Sequence, residues 1–199
     1  MTRLHYNVDG EEVEIAMEMI PIHLAENFAA SFAVVSALKL DIEPAASAIC
    51  LYKTVLGRGN LVELNKEGKS YKIICDYYNS NPQSLKASLE YLAQMGDDNK
   101  IAILGDMGEL GKKSASLHQQ MVPYIKDSGI SKLFLVGAAM AKLKNDFAKD
   151  IMVECYPDVD KLIAEIDQYI QGGELILIKG SKSMNLYKLA QHLGVCNVL

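Results

Sequence analysis

Several residue types and patterns are scarce in this chain, and each absence excludes a class of function. Of the 199 residues, 4 are cysteine and none is tryptophan. The cysteines stand far apart, with neither a Cys-x-x-Cys pair nor a neighbouring histidine, so the spacing of a metal site is missing. No apolar run approaches the roughly 18 residues that span a bilayer, and residues 1–12 lack the apolar segment of a secretory signal. We therefore expect a cytoplasmic protein with no membrane partner and with reduced, mostly buried thiols.

Positive charge is limited as well. The chain has 20 lysines and arginines against 25 aspartates and glutamates, which gives a net charge of −5. A nucleic-acid-binding domain normally carries a basic patch, so we expect no nucleic-acid partner. What the chain does have is apolar residues, which make up 50% of it and suffice for a soluble globular protein with a buried core.

The apolar pattern divides the chain into two parts. Residues 1–58 contain two loosely alternating runs, Leu4–Val8 and Val13–Met19, around an Asp-Gly dipeptide that favours a hairpin turn. Two helical patterns follow at Ala25–Leu40 and Pro44–Leu51, and together these elements hold too little sheet for a complete domain. From residue 59 to 199, strand-like runs alternate with helical patterns, which is typical of βαβ units. We therefore predict an α/β domain there, with a mostly parallel sheet flanked by helices.

The individual elements of the second part follow from the same pattern. A stripe of apolar residues from Val159 to Ile170 predicts one core-facing helix, and Pro82–Met95 predicts another. The predicted strands are Leu61–Leu64, Tyr71–Asp76, Ile101–Leu104, Leu133–Val136, Ile151–Glu154 and Leu175–Ile178.

Three polar segments stand where an apolar run ends and a helical pattern begins. They are Ile-Cys-Asp-Tyr-Tyr-Asn-Ser-Asn-Pro at 74–82, Leu-Gly-Asp-Met-Gly-Glu-Leu-Gly at 104–111 and Lys-Gly-Ser-Lys-Ser-Met at 179–184. In open α/β sheets, ligands bind at such strand-to-helix corners, because backbone N–H groups and helix N-termini converge there. The three corners therefore predict a ligand site.

The first corner has two explanations. Asn81 before Pro82 is a good N-cap for a helix, so a structural role accounts for both residues. It does not account for the polar set Asp76–Asn79 at the end of a buried strand, where carboxylate and amide groups suit ribose hydroxyls or other polar ligand groups. Both explanations stay open on the residues alone.

The other two corners differ in charge. Gly105, Gly108 and Gly111 have a Gly-x-x-Gly-x-x-Gly spacing, which is neither the dinucleotide fingerprint nor a P-loop. Two acidic residues there would repel a phosphate, so a structural turn is favoured, and His118 on the next helix is expected to be structural or solvated. The third corner offers two lysines and two hydroxyls, which favours a cradle for carboxylate or phosphate, with Ser183 as a simple N-cap the alternative.

Some catalytic patterns are missing from the sequence. There is no P-loop, no clustered acidic and histidine set for Mg²⁺, and no Ser-His-Asp or Cys-His pairing. The residues by themselves thus predict an α/β domain with a polar ligand cleft.

Taken in order, the three segments resemble the motifs of the Mur ligases, most closely the branch that adds D-alanyl-D-alanine to UDP-N-acetylmuramoyl-tripeptide. That branch shows Asp-Asp-Ser-Tyr-Asn-Ala-Asn-Pro, then Gly-Asp-Met-x-Glu-Leu-Gly with a later histidine, then Lys-Gly-Ser-Arg-Ser. Here the matching segments are Cys75–Pro82, Gly105–Gly111 and Lys179–Ser183. Upstream, His-Leu-Ala-Glu-Asn at 23–27 is similar to the family's helix start, and Gly57-Arg58 to its interdomain arginine. The resemblance covers nearly the whole chain.

The resemblance implies the end of a three-domain ATP-dependent ligase. Residues 1–58 would be the tail of the central ATPase domain, and 59–199 the Rossmann-like C-terminal domain. In this family ATP phosphorylates the terminal carboxylate of the tripeptide, and the amine of D-Ala-D-Ala then attacks the acyl phosphate to form an amide. The implied partners are UDP-N-acetylmuramoyl-tripeptide, D-Ala-D-Ala and the missing N-terminal and central domains, in cis or in trans.

The implied cofactors are ATP and Mg²⁺, with the P-loop and the Mg²⁺ ligands outside this chain. Phosphoryl transfer needs a metal and a lysine to neutralise the moving phosphate, so we expect the chain alone to be inactive.

The resemblance also implies roles for single residues, although no catalytic residue or metal ligand is assigned within this chain. Three residues depart from the family pattern, namely Leu24, Cys75 and Tyr187, which stand where asparagine, aspartate and glutamate are usual. The residues implied in nucleotide binding are Asn27, Arg58, Asp76, Tyr78, Asn79 and Asn81. Those implied to face the incoming peptide substrate are Lys179, Gly180 and Ser181.

Two alternatives stay open. The chain could be a non-catalytic Mur-like module that binds a nucleotide or a partner. The hairpin and helices before Arg58 argue against this, because without a missing portion they would leave an open sheet edge and exposed apolar surface. It could also be another ligase of the superfamily, such as a folylpolyglutamate synthase, but the Gly-Asp-Met-x-Glu-Leu-Gly sequence argues against that.

Overall fold

A computed structural model describes residues 2–17, 20, 22–96, 99–147 and 151–196, with the side chains of residues 22 and 23 left undescribed. The chain forms two compact units, Met1–Thr54 and Val55–Leu199. This division falls a few residues before the predicted boundary at 58/59, so Arg58 lies in the second unit. The assignment of residues 1–58 to a central domain stays a prediction.

The first unit is a hairpin with two helices. Its elements are β1 (Thr2–Val8), β2 (Glu11–Met17), α1 (Ile22–Ala37) and α2 (Ile42–Cys50). The strands pair antiparallel across Asp9 and Gly10, which both have positive φ, as the predicted turn requires. Phe28 and Phe32 of α1 pack into a small core with Ile15 of β2. The last two residues of the predicted second run, 18 and 19, lie outside the described residues.

Apolar side chains of the first unit are also exposed. Val34 on α1 and Leu38, just after the end of that helix, are 59% and 64% exposed, and Leu51 after α2 is 80% exposed. Exposed apolar side chains of this size are typical of a surface that another polypeptide covers.

The second unit is built on a six-stranded sheet with the order β3-β4-β8-β5-β6-β7. Only β3 runs antiparallel to its neighbour β4, and the other pairs are parallel. The predicted mostly parallel sheet is therefore confirmed. Its strands are β3 (Asn60–Lys66), β4 (Lys69–Asp76), β5 (Lys100–Gly105), β6 (Lys132–Val136), β7 (Met152–Tyr156) and β8 (Leu175–Lys179).

Helices cover both faces of this sheet. Alternate residues of β4 point to opposite cores: Ile73 packs with Leu189, and Ile74 packs with Leu89. Within the described residues, no helix has both the length and the apolar character needed to cross a bilayer. The helices are α3 (Pro82–Gln94), α4 (Ser114–Gln119), α5 (Val122–Asp127), α6 (Val159–Ile163) and α7 (Tyr187–His192), with short 3₁₀ turns at Gly111–Lys113, Met140–Asp146, Ile166–Gln168 and Lys182–Met184.

The single helix predicted from Val159 to Ile170 is wrong in its length. α6 ends at Ile163, and a separate 3₁₀ turn follows at Ile166–Gln168. Between them, Glu165 leaves helical geometry with a φ of −124°, and its carboxylate accepts a hydrogen bond of 2.9 Å from the Tyr156 hydroxyl. A side-chain contact outside the helix thus competes with the helical pattern, while the apolar stripe stays buried.

The prediction of mostly buried thiols is also wrong. Cys75 is buried and Cys155 is partly buried, but Cys50 and Cys196 are exposed, and all four are free. Cys50 is the last residue of α2, where the helix end faces solvent. Burial raises the pKa of the Cys75 thiol to about 12, so this thiol stays protonated and unreactive at neutral pH.

The glycine-rich corner after β5 is held by internal contacts. The Asp106 carboxylate accepts hydrogen bonds from the backbone N–H groups of Ala139 and Met140, the shortest of them 2.7 Å, and so caps the 3₁₀ turn Met140–Asp146. Gly137 permits this approach, because a Cβ there would lie 2.5 Å from the Asp106 Cγ and its φ is +104°. These contacts give Asp106 a structural role.

His118 of α4 also holds this corner in place. Its Nε2 accepts a 2.9 Å hydrogen bond from the Met107 N–H, which assigns the ring proton to Nδ1. Nδ1 in turn lies 2.7 Å from the Ser114 carbonyl oxygen, to which it donates. The buried ring therefore ties the loop after β5 to α4, and the Gly-x-x-Gly-x-x-Gly segment is a rigid turn.

We predict that Gly137→Ala destabilises the second unit more than Gly194→Ala does. The two glycines have nearly the same φ, +104° and +102°, but a Cβ on Gly194 meets nothing within 4 Å. Both substitutions put a Cβ at a positive φ, which costs about 1–3 kcal/mol of backbone strain, and Gly137→Ala adds overpacking against Asp106 of about 1–3 kcal/mol. Urea unfolding measures the difference, and equal midpoints for the two variants would contradict it.

Candidate functional site

The carboxyl ends of three neighbouring strands carry the three polar segments. β8 lies between β4 and β5, with Lys179 in register with Asp76 on one side and Leu104 on the other. Because these strands are parallel, their ends meet at one edge of the sheet, which is where ligands bind in open α/β folds. The structure therefore brings segments far apart in sequence into one site.

A buried ion pair joins the first and third corners. The Lys179 Nζ lies 2.6 Å from Oδ2 of Asp76, and the Lys179 side chain is only 1% exposed. The same ammonium donates a 3.1 Å hydrogen bond to the Asn79 carbonyl oxygen. From α3, the Ser88 hydroxyl donates to the same Asp76 Oδ2 at 2.6 Å. We call these four residues the Asp76 network.

The electrostatics of the Asp76 network depend on the pairing. Burial lowers the pKa of the Lys179 ammonium from its usual value, and the Asp76 carboxylate opposes that shift. Within the described part of the chain, the two side chains that donate to Asp76 both donate to Oδ2, and the Asp76 side chain is 16% exposed. Oδ1 is therefore the atom of Asp76 that can accept a hydrogen bond from a ligand.

The third-corner residues predicted to face a peptide substrate are all buried. Lys179 is held by Asp76 and Asn79, so its ammonium is not offered to solvent. A Cβ on Gly180 would lie 2.7 Å from Leu186 Cδ1 and 3.0 Å from the Gly105 Cα, so glycine here allows the two corners to pack. The Ser181 N–H donates a 3.0 Å hydrogen bond to the Asp106 carbonyl oxygen. Their contact with a substrate stays a prediction, and their present contacts are internal.

The two asparagines of the first corner have different roles. The Asn81 Oδ1 accepts a 2.8 Å hydrogen bond from the Ser84 N–H, while the Ser84 hydroxyl accepts from the Asn81 N–H, which forms a capping box at the start of α3. Asn79 is exposed, and its Oδ1 accepts from the Ser80 N–H at 2.8 Å. Asn81 is thus the N-cap that the sequence predicts. Its side-chain oxygen is used in the cap, and its side-chain NH₂ group can still donate to a ligand.

Arg58 and Tyr78 lie together at the outer end of β4. The Arg58 guanidinium is 4.0 Å from the centre of the Tyr78 ring, and the Lys182 ammonium lies 5.6 Å from the same centre. Hydrogen bonds from Gly59 N to the Cys75 carbonyl (2.8 Å) and from Tyr78 N to the Gly57 carbonyl (3.1 Å) fix the backbone on either side of Arg58. Arg58 and Tyr78, both predicted to bind a nucleotide, are therefore in direct contact.

Asn27 belongs to the first unit, and the other eight candidate residues belong to the second. It is exposed on α1, and its carbonyl oxygen accepts a 3.0 Å hydrogen bond from the Ser31 hydroxyl. It lines a cavity of about 310 Å³ with Leu24, Phe28 and Tyr52. The side chain of residue 23, part of the same family-like segment, lies outside the described residues.

Two further residues of the site, Ser88 and Ser80, escaped assignment from the sequence. Ser88 could have been found, because it lies between Leu85 and Leu89 on the buried stripe of α3, where a polar side chain needs a partner. Lys182, the second lysine of the cradle predicted at the third corner, is exposed. Ser80 is buried, and its hydroxyl has no hydrogen-bond partner among the described residues, which no sequence pattern signals.

The acidic side chains do not form a metal site in the part of the chain that the structure describes. There, no three His, Cys, Asp or Glu side chains group closely enough to hold a metal ion.

We predict that Lys179→Met lowers the free energy of unfolding by about 3 kcal/mol, because it leaves the Asp76 carboxylate without its buried partner. The double variant Lys179→Met, Asp76→Leu should recover much of this loss, since an apolar pair needs no charge compensation. Lys188→Met is the control: its pair with Asp160 is exposed, so its loss costs less than about 1 kcal/mol. The single variants Lys179→Met and Asp76→Leu and the double variant form a double-mutant cycle measured by denaturation. If the effects of the two single changes on the free energy of unfolding were additive, the pairing would be contradicted.

Comparison with known proteins shows which family the chain resembles. The family model described as "Mur ligase, glutamate ligase domain" matches residues 57–182. A UDP-N-acetylmuramoyl-tripeptide–D-alanyl-D-alanine ligase of Rickettsia prowazekii is 37% identical over 189 residues, covering 95% of this chain and 41% of that protein. The Bacillus subtilis protein of the same name is 29% identical over 195 residues, covering 95% of this chain and 42% of the relative. The chain thus spans about two-fifths of these relatives.

Solved structures show the same fold. MurF from Acinetobacter baumannii superposes with a TM-score of 0.77 at 22% identity, covering 92% of this chain and 39% of that one. MurF from Thermotoga maritima, solved in complex with ADP, gives a TM-score of 0.73 at 23% identity, covering 96% of this chain and 42% of the other. Since the family model spans more than half of the residues and the Rickettsia relative aligns along nearly all of them, the chain belongs to the Mur ligase family.

Proposed function

We propose that this chain is the C-terminal part of an ATP-dependent ligase that joins D-alanyl-D-alanine to UDP-N-acetylmuramoyl-tripeptide in peptidoglycan precursor synthesis. The observation that carries the proposal is the 37% identity, over 95% of the chain, to a Rickettsia protein named for this reaction. Because the chain spans 41% of that relative, we also propose that it acts with further domains and is inactive without them.

The carboxyl edge of the sheet is the proposed nucleotide-contacting surface. Asp76 offers Oδ1 to a ribose hydroxyl, and Lys179 and Ser88 hold the carboxylate in place through Oδ2. Arg58 supplies positive charge for a phosphoryl oxygen, and Tyr78 presents an aromatic ring beside it. The ADP complex of the Thermotoga relative supports a nucleotide as the ligand.

The donor and acceptor set at this edge fits a nucleotide. The buried Ser80 hydroxyl has no partner in the described part of the chain, and it lies between Asn79 and Asn81, whose amides can still donate. An unpaired buried hydroxyl is costly, and a ligand or an ordered water would satisfy it. Bound ATP would supply the phosphoryl group that activates the tripeptide carboxylate, and the residues of this chain would bind and orient the nucleotide.

Groups outside this chain are proposed to complete the reaction. Mg²⁺ belongs with them, because the described residues contain no cluster of acidic or histidine ligands. Val34, Leu38 and Leu51 of the first unit are exposed, which argues that another polypeptide covers them. This favours the proposal that residues 1–58 are the tail of a larger ATPase domain. The same surface argues against an independent binding module.

A chimera tests the proposed activity. This chain replaces the matching segment of the Rickettsia relative, and the purified chimera is assayed for ADP release. We expect release that depends on both UDP-N-acetylmuramoyl-tripeptide and D-Ala-D-Ala. We expect none from the 199-residue chain alone, whose sequence lacks a P-loop and whose described residues contain no cluster of Mg²⁺ ligands.

The control for this experiment is the same chimera carrying Lys179→Met and Asp76→Leu, which keeps the packing and removes the carboxylate. Its ADP release should fall at least about tenfold, the effect of losing one charge-assisted hydrogen bond. A chimera that folds and binds ATP but ligates nothing would refute the proposed reaction, as would ligation by the isolated chain.

A further inference from the structure

The ring of Tyr77 packs directly against the backbone of Gly57, beyond the carboxyl end of β4. A Cβ on Gly57 would stand 2.8 Å from Tyr77 Cε2 and 3.4 Å from Tyr77 Cζ. Gly57 is buried and has a φ of +86°, which residues with a side chain rarely adopt. Glycine is therefore required here for two reasons, namely the backbone conformation and the close approach of the ring.

Tyr77 reaches this position because it continues the side-chain alternation of β4. Ile73 and Cys75 of that strand face one core of the sheet, and Tyr77 belongs to the same core and is 4% exposed. Tyr78, the next residue, lies outside that core, and its ring contacts the Arg58 guanidinium instead. The two consecutive tyrosines thus contact neighbouring residues of one segment.

Backbone hydrogen bonds tie this segment to β4 on both sides of Arg58. The Tyr78 N–H donates a 3.1 Å hydrogen bond to the Gly57 carbonyl oxygen, and the Gly59 N–H donates one of 2.8 Å to the Cys75 carbonyl oxygen. We call residues 57–59 the Arg58 turn. Because Arg58 is exposed, the position of its guanidinium depends on the backbone of this turn and on the Tyr78 ring.

The hydroxyl group of Tyr77 takes no part in these contacts. It is buried and has no hydrogen-bond partner in the part of the chain that the structure describes. Burial raises the pKa of the Tyr77 hydroxyl to about 12, and the Cys75 thiol adds to the shift, so the side chain is neutral at physiological pH. An unpaired buried hydroxyl lowers stability. The contribution of Tyr77 to the Arg58 turn therefore comes from its ring.

We propose that Tyr77 is a positioning residue, whose ring supports the Arg58 turn at Gly57 and thereby fixes where the Arg58 guanidinium stands. The inference rests on the proposed function for the task of Arg58, which is to meet a phosphoryl oxygen. Tyr77 is buried and touches no ligand itself. A turn that is held before the ligand arrives reduces the entropy cost of binding.

The test follows the side chain of Arg58 by NMR in the 199-residue chain. The Arg58 guanidinium lies 4.0 Å from the centre of the Tyr78 ring, so the chemical shifts of its protons report this contact through the ring current. Tyr77→Leu keeps an apolar side chain in the core and removes the ring at Gly57. It should move the Arg58 shifts most of the way to those of an unfolded chain. Tyr77→Phe, which lacks only the unpaired hydroxyl, should keep the parent shifts.

Gly57→Ala changes the same contact from the other side. Its Cβ would overlap the Tyr77 ring, so the turn has to shift and the Arg58 shifts should change as they do in Tyr77→Leu. Gly173→Ala is the matched control, because Gly173 also has a φ of +86° but a Cβ there meets nothing within 4 Å. It strains the backbone equally and should leave the Arg58 shifts unchanged.

A second cation on a ring serves as the internal control in every sample. The Lys86 ammonium lies 5.0 Å from the centre of the Tyr124 ring, between α3 and α5. The shifts of Lys86 should stay at their parent values in all the variants, and thermal melting confirms that each variant is folded. A general loss of structure would instead change the Lys86 and Arg58 shifts together.

The consequence for the ligand is measured in the chimera as kcat/KM for ATP. Tyr77→Leu should lower this value, by about tenfold at most, which is the effect of losing one charge-assisted hydrogen bond. Tyr77→Phe should leave it unchanged. In a chimera that already carries Arg58→Gln, Tyr77→Leu should cause no further loss, because the side chain that it positions is gone.

Two results overturn the inference: Tyr77→Leu and Gly57→Ala leave the Arg58 shifts of the folded chain unchanged, or Tyr77→Phe changes them as much as Tyr77→Leu does. A failure of the proposed function gives a different result. If the Arg58 shifts respond to Tyr77→Leu while kcat/KM of the chimera does not, the positioning by Tyr77 stands and the role of Arg58 at a phosphoryl group is refuted.

Discussion

The buried ion pair between Lys179 and Asp76 organises the whole carboxyl edge of the sheet. A lysine that is 1% exposed has to be paired, because an isolated ammonium in the protein interior is strongly unfavourable. Asp76 provides that charge from the adjacent strand, Asn79 adds a carbonyl oxygen, and Ser88 holds the carboxylate from α3. One interaction thereby connects two strands, a loop and a helix.

Polar residues at this edge divide into those whose polar groups are bound within the protein and those whose polar groups stay exposed. Asp106 and His118 form their hydrogen bonds within the turn after β5 and with the backbone next to it, and the Lys179 ammonium donates to Asp76. Arg58 and Lys182 keep exposed charges against the Tyr78 ring. The supporting residues form a rigid base, so the exposed ones are held in place before a ligand arrives, which lowers the entropy cost of binding.

Much of the architecture could be predicted from the sequence. The alternation of apolar runs with helical stripes was enough for a mostly parallel sheet, and Asn81 before Pro82 was enough for the N-cap of α3. The insertion of β8 between β4 and β5 could not be predicted, because no local pattern encodes strand order. The break at Glu165 depends on the Tyr156 hydroxyl, a contact between separate elements that helical periodicity does not contain.

The site was less predictable than the fold for the same reason. A lysine at the end of a strand is normally exposed, and only the neighbouring position of Asp76 explains why Lys179 is buried. Arg58 and Tyr78 were selected through the family resemblance as separate residues, and their contact depends on hydrogen bonds between the loop and β4. The exposed partner, Lys182, could be distinguished from Lys179 only once the burial of each was known.

The most direct test of this account compares ATP with 2′,3′-dideoxy-ATP as ligands of the 199-residue chain and of its Asp76→Asn variant. If the network holds Asp76 for a ribose hydroxyl, the parent chain prefers ATP about tenfold, the effect of one charge-assisted hydrogen bond. The variant should lose most of that preference while it stays folded. Equal Kd values for the two nucleotides in the parent chain would contradict the account, because Asp76 would then make no contact with the ribose.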